Sequence, residues 1–322
     1  QHNYQLTPQD SCVLFASLSF DAGLEQLLVP LMAGSKVVIV DAKQTTPNDF
    51  NALCQAQNIT AVDLPSVYLK QLAPLPNVRL CIVGGEAWSK HDFEAAQQQL
   101  PNASLVNAYG PTEAVITPTL WRGDAGTHVS SAYVPIGRAV GQRGLYILDA
   151  QLNLLITGMT GELYIGGPAL ARGYVGRADF TAKRFIANPF VDTGERLYRT
   201  GDLARWNELG ELEYVGRIDH QVKIRGFRVE LGEVEAALNA QAGIDSSLVM
   251  VDNSAEHARL VAYVVGELVD EAQLRQAIAE QLPQYMVPHA IMVLTCWPTT
   301  VNGKVDRKAL PAADYVVQNE FV

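Results

Sequence analysis

The stretch NAYGPTE (107–113) places three chemically useful side chains around a Gly-Pro turn. Tyr109 offers a ring that can stack on a base, and Thr112 offers a hydroxyl that can donate to a phosphate or carboxylate oxygen. Glu113 is a hard oxygen ligand of the kind that suits Mg²⁺. A structural turn with a solvated glutamate is the alternative. The residue types favour a ligand site over a plain turn.

Two later motifs carry polar side chains in turns. In YRTGDLARW (198–206), Asp202 follows a glycine turn and could accept two hydrogen bonds from hydroxyls, as a ribose diol offers. A turn-capping aspartate is the alternative. In NGKVDRKAL (302–310), Lys304 lies in a turn, where a lone lysine is usually a solvated surface residue. Each motif is modest by itself, and the order and spacing of all of them carry the argument.

A basic ribbon interrupts an otherwise acidic chain. The 24 lysines and arginines and the 34 aspartates and glutamates give a net charge of 24 − 34 = −10. This charge argues against nucleic acid or an anionic membrane as the main partner. The stretch GRIDHQVKIRGFRVELGEVE (216–235) nevertheless groups Arg217, Lys223 and two further arginines around Gly226. Such a cluster favours an anionic ligand, and a charged strand face is the alternative.

Length and composition limit the class of protein. The 322 residues, 48% of them hydrophobic, suffice for one large and one smaller domain with buried cores. No apolar run approaches the roughly 20 residues that a membrane helix needs, so we expect a cytoplasmic protein without a membrane partner. The cysteines lack zinc or thioredoxin-like spacing and predict reduced thiols. They are Cys12, Cys54, Cys81 and Cys296.

Short apolar strands alternate with amphipathic helices near the start of the chain. This alternation predicts a largely parallel α/β sheet. Ligands bind such sheets at the carboxyl ends of strands, so the glycine turns at 84–85 and 110 mark the expected edges of a site. We expect strands at 36–40, 59–64, 78–86 and 104–110, and helices at 48–57 and 89–99.

The pattern of predicted secondary structure changes twice in the second half of the chain. Glycine-separated β segments between about 133 and 216 predict a β-rich subdomain. After Gly216 we expect a compact α+β unit, with strands at 247–252, 259–265 and 290–294 and helices at 231–240 and 271–281. The predicted fold is therefore a large α/β core (1–219), incomplete at its N-terminal side, and a small α+β lid domain (220–322).

The motifs together resemble the core series of adenylate-forming enzymes, and most closely the adenylation domains of nonribosomal peptide synthetases. The resemblance runs from SLSFD (17–21) to KAL (308–310) without large gaps. Its elements in this chain are YGPTE, GELYIGGPALARGY, YRTGD, GRIDHQVKIRGFRVELGEVE, LPQYMVP and NGKVDRKAL.

The resemblance implies a two-step reaction. An amino acid reacts with ATP to give an aminoacyl adenylate and pyrophosphate, and the acyl group then passes to the phosphopantetheine thiol of a peptidyl carrier domain, with a condensation domain as a further partner. Lys304 would bridge the carboxylate and the α-phosphate, Lys223 would serve thioester formation, and the small domain would turn about Asp219.

The resemblance also assigns a nucleotide site. Tyr109 would stack on adenine, Asp202 would hold the ribose hydroxyls, and Glu113 would bind Mg²⁺. The full set implied to contact the nucleotide is Asn107, Tyr109, Gly110, Thr112, Asp202, Tyr214 and Arg217.

Asp21 matches the family residue that binds the α-amino group of the substrate, with a helix N-cap as the alternative. Glu25 lies four residues on, so a helix puts both on one face. Glu25 and Asp63 in a mostly apolar pocket are costly unless a cation pairs with them. We therefore expect a basic substrate such as lysine, ornithine or arginine; the alternative is that one carboxylate faces solvent or another protein group. The pocket implied by the resemblance comprises Asp21, Ala22, Glu25, Asp63, Ile82, Gly84, Ala108, Ile116 and Thr117.

One departure and two alternatives complete the prediction. The family's hydroxyl- and glycine-rich phosphate loop has no counterpart here, so we expect an N-terminally truncated domain. The first alternative is an acyl- or aryl-CoA ligase of the same superfamily, against which Asp21 argues. The second is an inactive scaffolding fragment, against which the joint presence of Lys304, Asp202 and Glu113 argues.

Overall fold

The structure, a computed structural model of the chain, divides into two compact units, Gln1–Asp219 and His220–Val322. Each unit has its own hydrophobic core. Among the described residues, none of the helices is long and apolar enough to cross a membrane. The structure describes residues 3–42, 44–218, 222–224, 227–252, 258–266, 270–299 and 305–313.

A seven-stranded sheet forms the centre of the first unit. Its strand order is β2-β1-β3-β4-β5-β6-β7; the first five strands are parallel, and β6 and β7 join antiparallel. The strands are β1 (Ser11–Leu14), β2 (Lys36–Ile39), β3 (Ala61–Asp63), β4 (Leu80–Gly84), β5 (Ser104–Tyr109), β6 (Thr119–Gly123) and β7 (Arg138–Ala139).

Alternating side chains give this sheet two apolar faces. In β4, Leu80 and Ile82 join a core cluster that also contains Tyr4, whereas Cys81 and Val83 join the larger cluster on the opposite face. Because successive residues of a strand point to opposite faces, a continuous apolar run such as LCIV is what a sheet covered on both sides requires.

Among the described residues, five α-helices belong to the first unit. The helix Pro47–Ala56 begins with a capping box, in which the side chains of Thr46 and Asp49 each accept a hydrogen bond from the other's backbone N–H. Ser89 caps the helix Lys90–Gln99. Their apolar residues Phe50 and Phe93 are fully buried in the larger cluster. The helices are α1 (Asp21–Met32), α2 (Pro47–Ala56), α3 (Ser66–Leu69), α4 (Lys90–Gln99) and α5 (Ala178–Arg184).

A second, antiparallel sheet completes the first unit. Its order is β10-β11-β9-β8, and β12 also pairs with β11. The glycine turn expected before Asp202 is instead a bulge inside an eleven-residue strand: the register shifts between Arg199 and Leu203, and Gly201 has φ +76°. The strands are β8 (Gly144–Leu148), β9 (Gly161–Gly166), β10 (Phe185–Ala187), β11 (Arg196–Trp206) and β12 (Leu212–Arg217).

In the described part of the second unit there are a hairpin, a three-stranded sheet and two α-helices. The hairpin pairs β13 with β14, and the sheet has the order β15-β16-β17. Apolar faces of both helices pack in the core, through Val234, Leu238, Leu274 and Ile278. The elements are β13 (Val222–Ile224), β14 (Phe227–Val229), α6 (Leu231–Asn239), β15 (Ile244–Asp252), β16 (Arg259–Gly266), α7 (Glu271–Gln281) and β17 (Ala290–Leu294).

The predicted fold class, an α/β core with a β-rich part and a small α+β unit, is confirmed. The sequence pattern missed β1, α3, β6, α5 and β10, which are short and show no clear period.

Position 110 requires glycine because other atoms approach its backbone closely, and not because of its torsion angles. A Cβ at this position would overlap Pro118 Cδ and the carbonyl oxygen of Ile116. We expect Gly110→Ala to lower the free energy of unfolding by roughly 1–3 kcal/mol, the usual cost of overpacking, in chemical denaturation. Gly216→Ala is the matched control, because nothing lies within 4 Å of its built Cβ. Equal stability of both variants would contradict the close approach.

Candidate functional site

The carboxyl ends of three neighbouring parallel strands gather the predicted site residues. Asp63 ends β3, Gly84 ends β4 and Tyr109 ends β5. The register pairs Asp63 with Ile82 and Gly84 with Ala108, so the predicted pocket positions on these strands are neighbours. A Cβ on Gly84 would lie 2.8 Å from the carbonyl oxygen of Ala108, which explains glycine at this position.

A cavity lies on the Tyr4 face of the sheet, under α1. The space in it that is open to a water-sized group is about 30 Å³, and most of its walls are aliphatic. Two carboxylates, Glu25 and Asp63, line it together with Tyr4, Gln26 and Ile82. The predicted juxtaposition of Glu25 and Asp63 in one mostly apolar pocket is therefore present in the structure.

Hydroxyl groups hold both oxygens of Glu25. Tyr4 donates to Oε1 at 2.9 Å, and Thr117 donates to Oε2 at 3.1 Å. Burial raises the pKa of this half-buried carboxyl, and the charge of Asp21 one helical turn away raises it further. The two hydroxyl donors act in the opposite direction, because hydrogen bonds to a carboxylate favour its charged form.

Asp63 is the second perturbed acid of the cavity. Burial, followed by the charge of Glu25, raises its pKa from 3.8 to about 7. Gln26 ties the end of β3 to α1, since its Nε2 donates to the Asp63 carbonyl at 3.1 Å and its Oε1 accepts from the backbone of Phe15 and Ala16 at 2.8 Å. Among the described residues, neither Glu25 nor Asp63 forms an ion pair with a cation.

A strained turn presents Thr117 to Glu25. Val115 and Ile116 both have φ +59°, a left-handed conformation that β-branched residues rarely adopt. The Thr117 backbone N–H closes the turn on the Val115 carbonyl at 2.7 Å. Strain of this kind, on the order of 1–3 kcal/mol per residue, persists where the surroundings fix it and is common at functional sites.

Only Glu25, Asp63 and Ile82 of the nine predicted pocket positions line this cavity. The other six do not: Asp21, Ala22, Gly84, Ala108, Ile116 and Thr117. Asp21 is the first residue of α1 rather than its N-cap, and its Oδ1 accepts from the Ala22 N–H at 2.8 Å. Asp21, Ala22 and Ile116 are half-buried, whereas Ile82 and Ala108 are buried in the core of the Tyr4 face.

A second polar group lies where β5 meets the antiparallel sheet. Tyr109, only 6% exposed, donates its hydroxyl to Asp202 Oδ2 at 2.5 Å. Arg217, paired with Asp202 across β11 and β12, donates to Oδ1 at 2.6 Å. Burial and the neighbouring Asp202 charge raise the pKa of Tyr109 well above its usual range, so the phenol keeps its proton and donates. The structure thus brings three predicted nucleotide contacts together.

The other residues predicted to contact the nucleotide lie close to this cluster but differ in their hydrogen bonds and in their exposure. The Asn107 amide donates to the carbonyls of Val134 and Pro135, at 3.3 and 2.9 Å, and is buried. Gly110 forms the close turn after β5, Thr112 is exposed, and Tyr214 is half-buried against the core that contains Tyr109.

Glu113 is buried in a short 3₁₀ turn, Thr112–Ala114. Its Oε1 accepts a hydrogen bond from the Tyr174 hydroxyl at 2.5 Å, and its backbone carbonyl accepts from Ala171 at 2.8 Å. The GGPALARGY segment therefore anchors the predicted metal ligand from two sides. Within the described part of the chain, no group of three or more His, Cys, Asp or Glu residues could hold a metal ion.

The structure does not describe every predicted site residue. Lys304, the Lys223 side chain and Asp219 lie outside the described residues, so their roles remain predictions. Sequence reasoning missed Tyr4 and the role of Tyr174. Both contacts are tertiary, and no motif spacing in the sequence announces them.

Comparison with known proteins places the chain in a family. The AMP-binding enzyme family matches residues 1–175, more than half of the chain, and the AMP-binding enzyme C-terminal domain matches residues 233–304. The chain belongs to the AMP-binding enzyme family. This membership confirms the family predicted from the motifs.

Relatives of this AMP-binding enzyme are peptide synthetases. It is 42% identical over 321 residues to tyrocidine synthase 1 of Brevibacillus parabrevis, covering 98% of this chain and 29% of that protein. It is 40% identical over 320 residues to bacitracin synthase 3 of Bacillus licheniformis, covering 97% of this chain and 5% of that protein. The chain thus spans a minor part of these curated relatives.

The solved structures that this chain resembles include adenylation domains. One neighbour is a Vibrio cholerae adenylation domain, AlmE, in complex with glycyl-adenosine-5′-phosphate, with a TM-score of 0.82 and 28% identity over 96% of this chain and 59% of that one. Another is a nonribosomal peptide synthetase protein containing adenylation and PCP domains, with a TM-score of 0.85 and 29% identity over 94% and 53%.

The raised pKa of Asp63 makes stability depend on pH. The folded state binds this proton more tightly than the unfolded chain, so the free energy of unfolding falls as pH rises from 3.8 through about 7. We expect Asp63→Asn to remove this loss and to be more stable than the parent at pH 8, by roughly 2–4 kcal/mol. Denaturation at pH 5 and pH 8 checks this. The exposed Glu208→Gln is the control, and a parallel pH dependence in all three proteins would contradict it.

The Arg217–Asp202 pair predicts non-additive mutations. Both side chains are nearly buried, so removing one partner leaves an uncompensated charge. We expect Arg217→Met or Asp202→Leu alone to lower the free energy of unfolding by about 3 kcal/mol, and the double variant to cost less than the sum. Additive losses in a double-mutant denaturation cycle would show that the pair does not act as a unit.

Proposed function

We propose that this chain activates an amino acid for nonribosomal peptide synthesis. The substrate carboxylate attacks the α-phosphate of ATP, the aminoacyl adenylate forms and pyrophosphate leaves. The phosphopantetheine thiol of a carrier domain then attacks the acyl carbon, the acyl–phosphate bond breaks and AMP leaves. Family membership supports this proposal, as does the similarity to peptide synthetases and to an adenylation domain crystallised with glycyl-adenosine-5′-phosphate. A peptidyl carrier domain and a condensation domain are the partners that such an assembly uses.

The cluster of Tyr109, Asp202 and Arg217 is the proposed nucleotide site. The Asp202 carboxylate would accept hydrogen bonds from the ribose hydroxyls, and Arg217 would contact the ribose or a phosphate. Tyr109 would offer its ring to adenine while its hydroxyl holds Asp202 in place. Asn107, Gly110, Thr112 and Tyr214 would complete this site, as the motifs predict.

Glu113 fits a role as a magnesium ligand. Mg²⁺ is usually held by one or two carboxylates together with substrate phosphates and water, so a single buried carboxylate is enough on the protein side. When bound, the ion neutralises charge on the phosphate oxygens. The Tyr174 hydroxyl keeps the Glu113 carboxylate in one orientation for this purpose.

We further propose a substrate with a basic side chain, such as lysine, ornithine or arginine. The observation that carries this is the pairing of Glu25 and Asp63 in one cavity without an ion pair among the described residues. Arg143, whose field reaches Glu25, donates instead to the carbonyls of Val140 and Val115, at 3.0 and 3.5 Å. A substrate ammonium would relieve the repulsion between the two carboxylates.

At the other end of the substrate, Asp21 would bind the α-ammonium group. It begins α1 one turn before Glu25, so the two carboxylates lie on one helix face. The proposal therefore requires a substrate with two positive charges. An acyl- or aryl-CoA ligase would not need Asp21, and no observation favours that alternative.

ATP–pyrophosphate exchange on the full-length protein tests the substrate. We expect lysine, ornithine or arginine to exceed leucine and phenylalanine in kcat/KM by about a hundredfold, because a buried charge pair discriminates strongly. Glu25→Gln and Asp63→Asn should each reduce this preference by roughly tenfold. Glu94→Gln, exposed on α4, is the matched control. A preference for leucine or phenylalanine would refute the basic substrate, and exchange with no amino acid would refute the activity.

A further inference from the structure

We propose that Tyr4 is a specificity-determining positioning residue that holds Glu25 against the side-chain cation of the substrate. This inference rests on the proposed function and extends the pocket beyond the positions that the motifs identify. Tyr4 lies 17 residues before Asp21, in the segment that precedes β1.

Tyr4 reaches the cavity from the hydrophobic core beneath it. Its ring is 5% exposed and packs with Leu6, Cys12 and Leu80 in the core of one sheet face. The same side chain lines the cavity, and its hydroxyl donates to Glu25 Oε1 at 2.9 Å. A side chain fixed by core packing therefore carries the hydrogen bond that orients the carboxylate.

The direction of this hydrogen bond is set by the surrounding charge. Burial, then the charges of Glu25 and Asp63, raise the pKa of Tyr4 well above its usual range. The phenol therefore keeps its proton and acts as donor, and Glu25 acts as acceptor. A donor to the carboxylate favours its ionised form, which is the form that attracts an ammonium group.

The other groups around Glu25 make Tyr4 important. Asp21 on the same helix and Asp63 at the end of β3 both repel its charge, whereas Thr117 donates to Oε2 and Arg143 attracts at longer range. Without the phenol hydroxyl, Oε1 loses the hydrogen bond that Tyr4 donates to it. The carboxyl would then take up a proton more readily or rotate away from the cavity.

A purely structural Tyr4 would behave differently from a positioning one. If the ring only fills the core, removal of the hydroxyl changes stability but treats charged and neutral substrates alike. If the hydroxyl orients Glu25, its removal weakens binding of a cationic side chain and leaves an apolar side chain of the same length unaffected. Lysine and norleucine form such a pair, since norleucine has a similar chain length and lacks the terminal ammonium.

Tyr4→Phe in the full-length protein tests the inference by ATP–pyrophosphate exchange. We expect KM for lysine to rise roughly tenfold or more, with kcat nearly unchanged and KM for norleucine unchanged. The acid limb of the lysine kcat/KM profile should move to higher pH, because Glu25 would ionise at higher pH. Tyr146→Phe removes a hydroxyl from the second sheet, where Tyr146 stacks on Phe190, and is the matched control.

Thr117→Val is the second variant, which removes the other donor to Glu25 and should produce the same split between lysine and norleucine. It keeps the test open if Tyr4→Phe proves unstable in a thermal unfolding assay. A parent protein that prefers none of lysine, ornithine and arginine to norleucine defeats the proposed basic substrate, and the preferred basic amino acid replaces lysine throughout this test. A parent that prefers lysine, with a Tyr4→Phe variant that retains the preference and the pH profile, overturns the inference alone. Equal losses for both substrates assign Tyr4 to packing and overturn it as well.

Discussion

Two carboxylates in one apolar cavity impose the central constraint on this protein. Burial disfavours the charged form of Glu25 and of Asp63, and each charge disfavours the other. The fold offsets this with hydroxyl donors from two distant segments, at Tyr4 and Thr117. The proposed substrate ammonium would relieve the remaining repulsion between the two carboxylates.

A single strand separates the two halves of the candidate site. In β5, Ala108 joins the core under the cavity, whereas its neighbour Tyr109 joins the polar group with Asp202. The twofold repeat of a strand makes this division unavoidable. Residues predicted to contact the substrate and the nucleotide are therefore adjacent in sequence, and covalent geometry fixes their relative position.

Regular elements were predictable because their signals are local. The bounds of α7 and β17 agree with the apolar periodicity of the sequence. The bulge in β11 could not be predicted, because one glycine between apolar residues is equally consistent with a turn. The motifs led to Asp202, Arg217 and Glu25, but the hydroxyls that hold these groups come from tertiary packing. No spacing rule connects Tyr4 to Glu25 or Tyr174 to Glu113, so only a folded chain reveals them.

The left-handed turn at Val115 and Ile116 has a consequence for protein engineering. Glycine or asparagine would adopt these torsion angles with less strain, so a directed-evolution screen for thermostability would favour them here. The same replacements would free the turn that delivers Thr117 to the carboxylate. Heat resistance and a fixed orientation of Glu25 would then be selected in opposite directions at two consecutive codons.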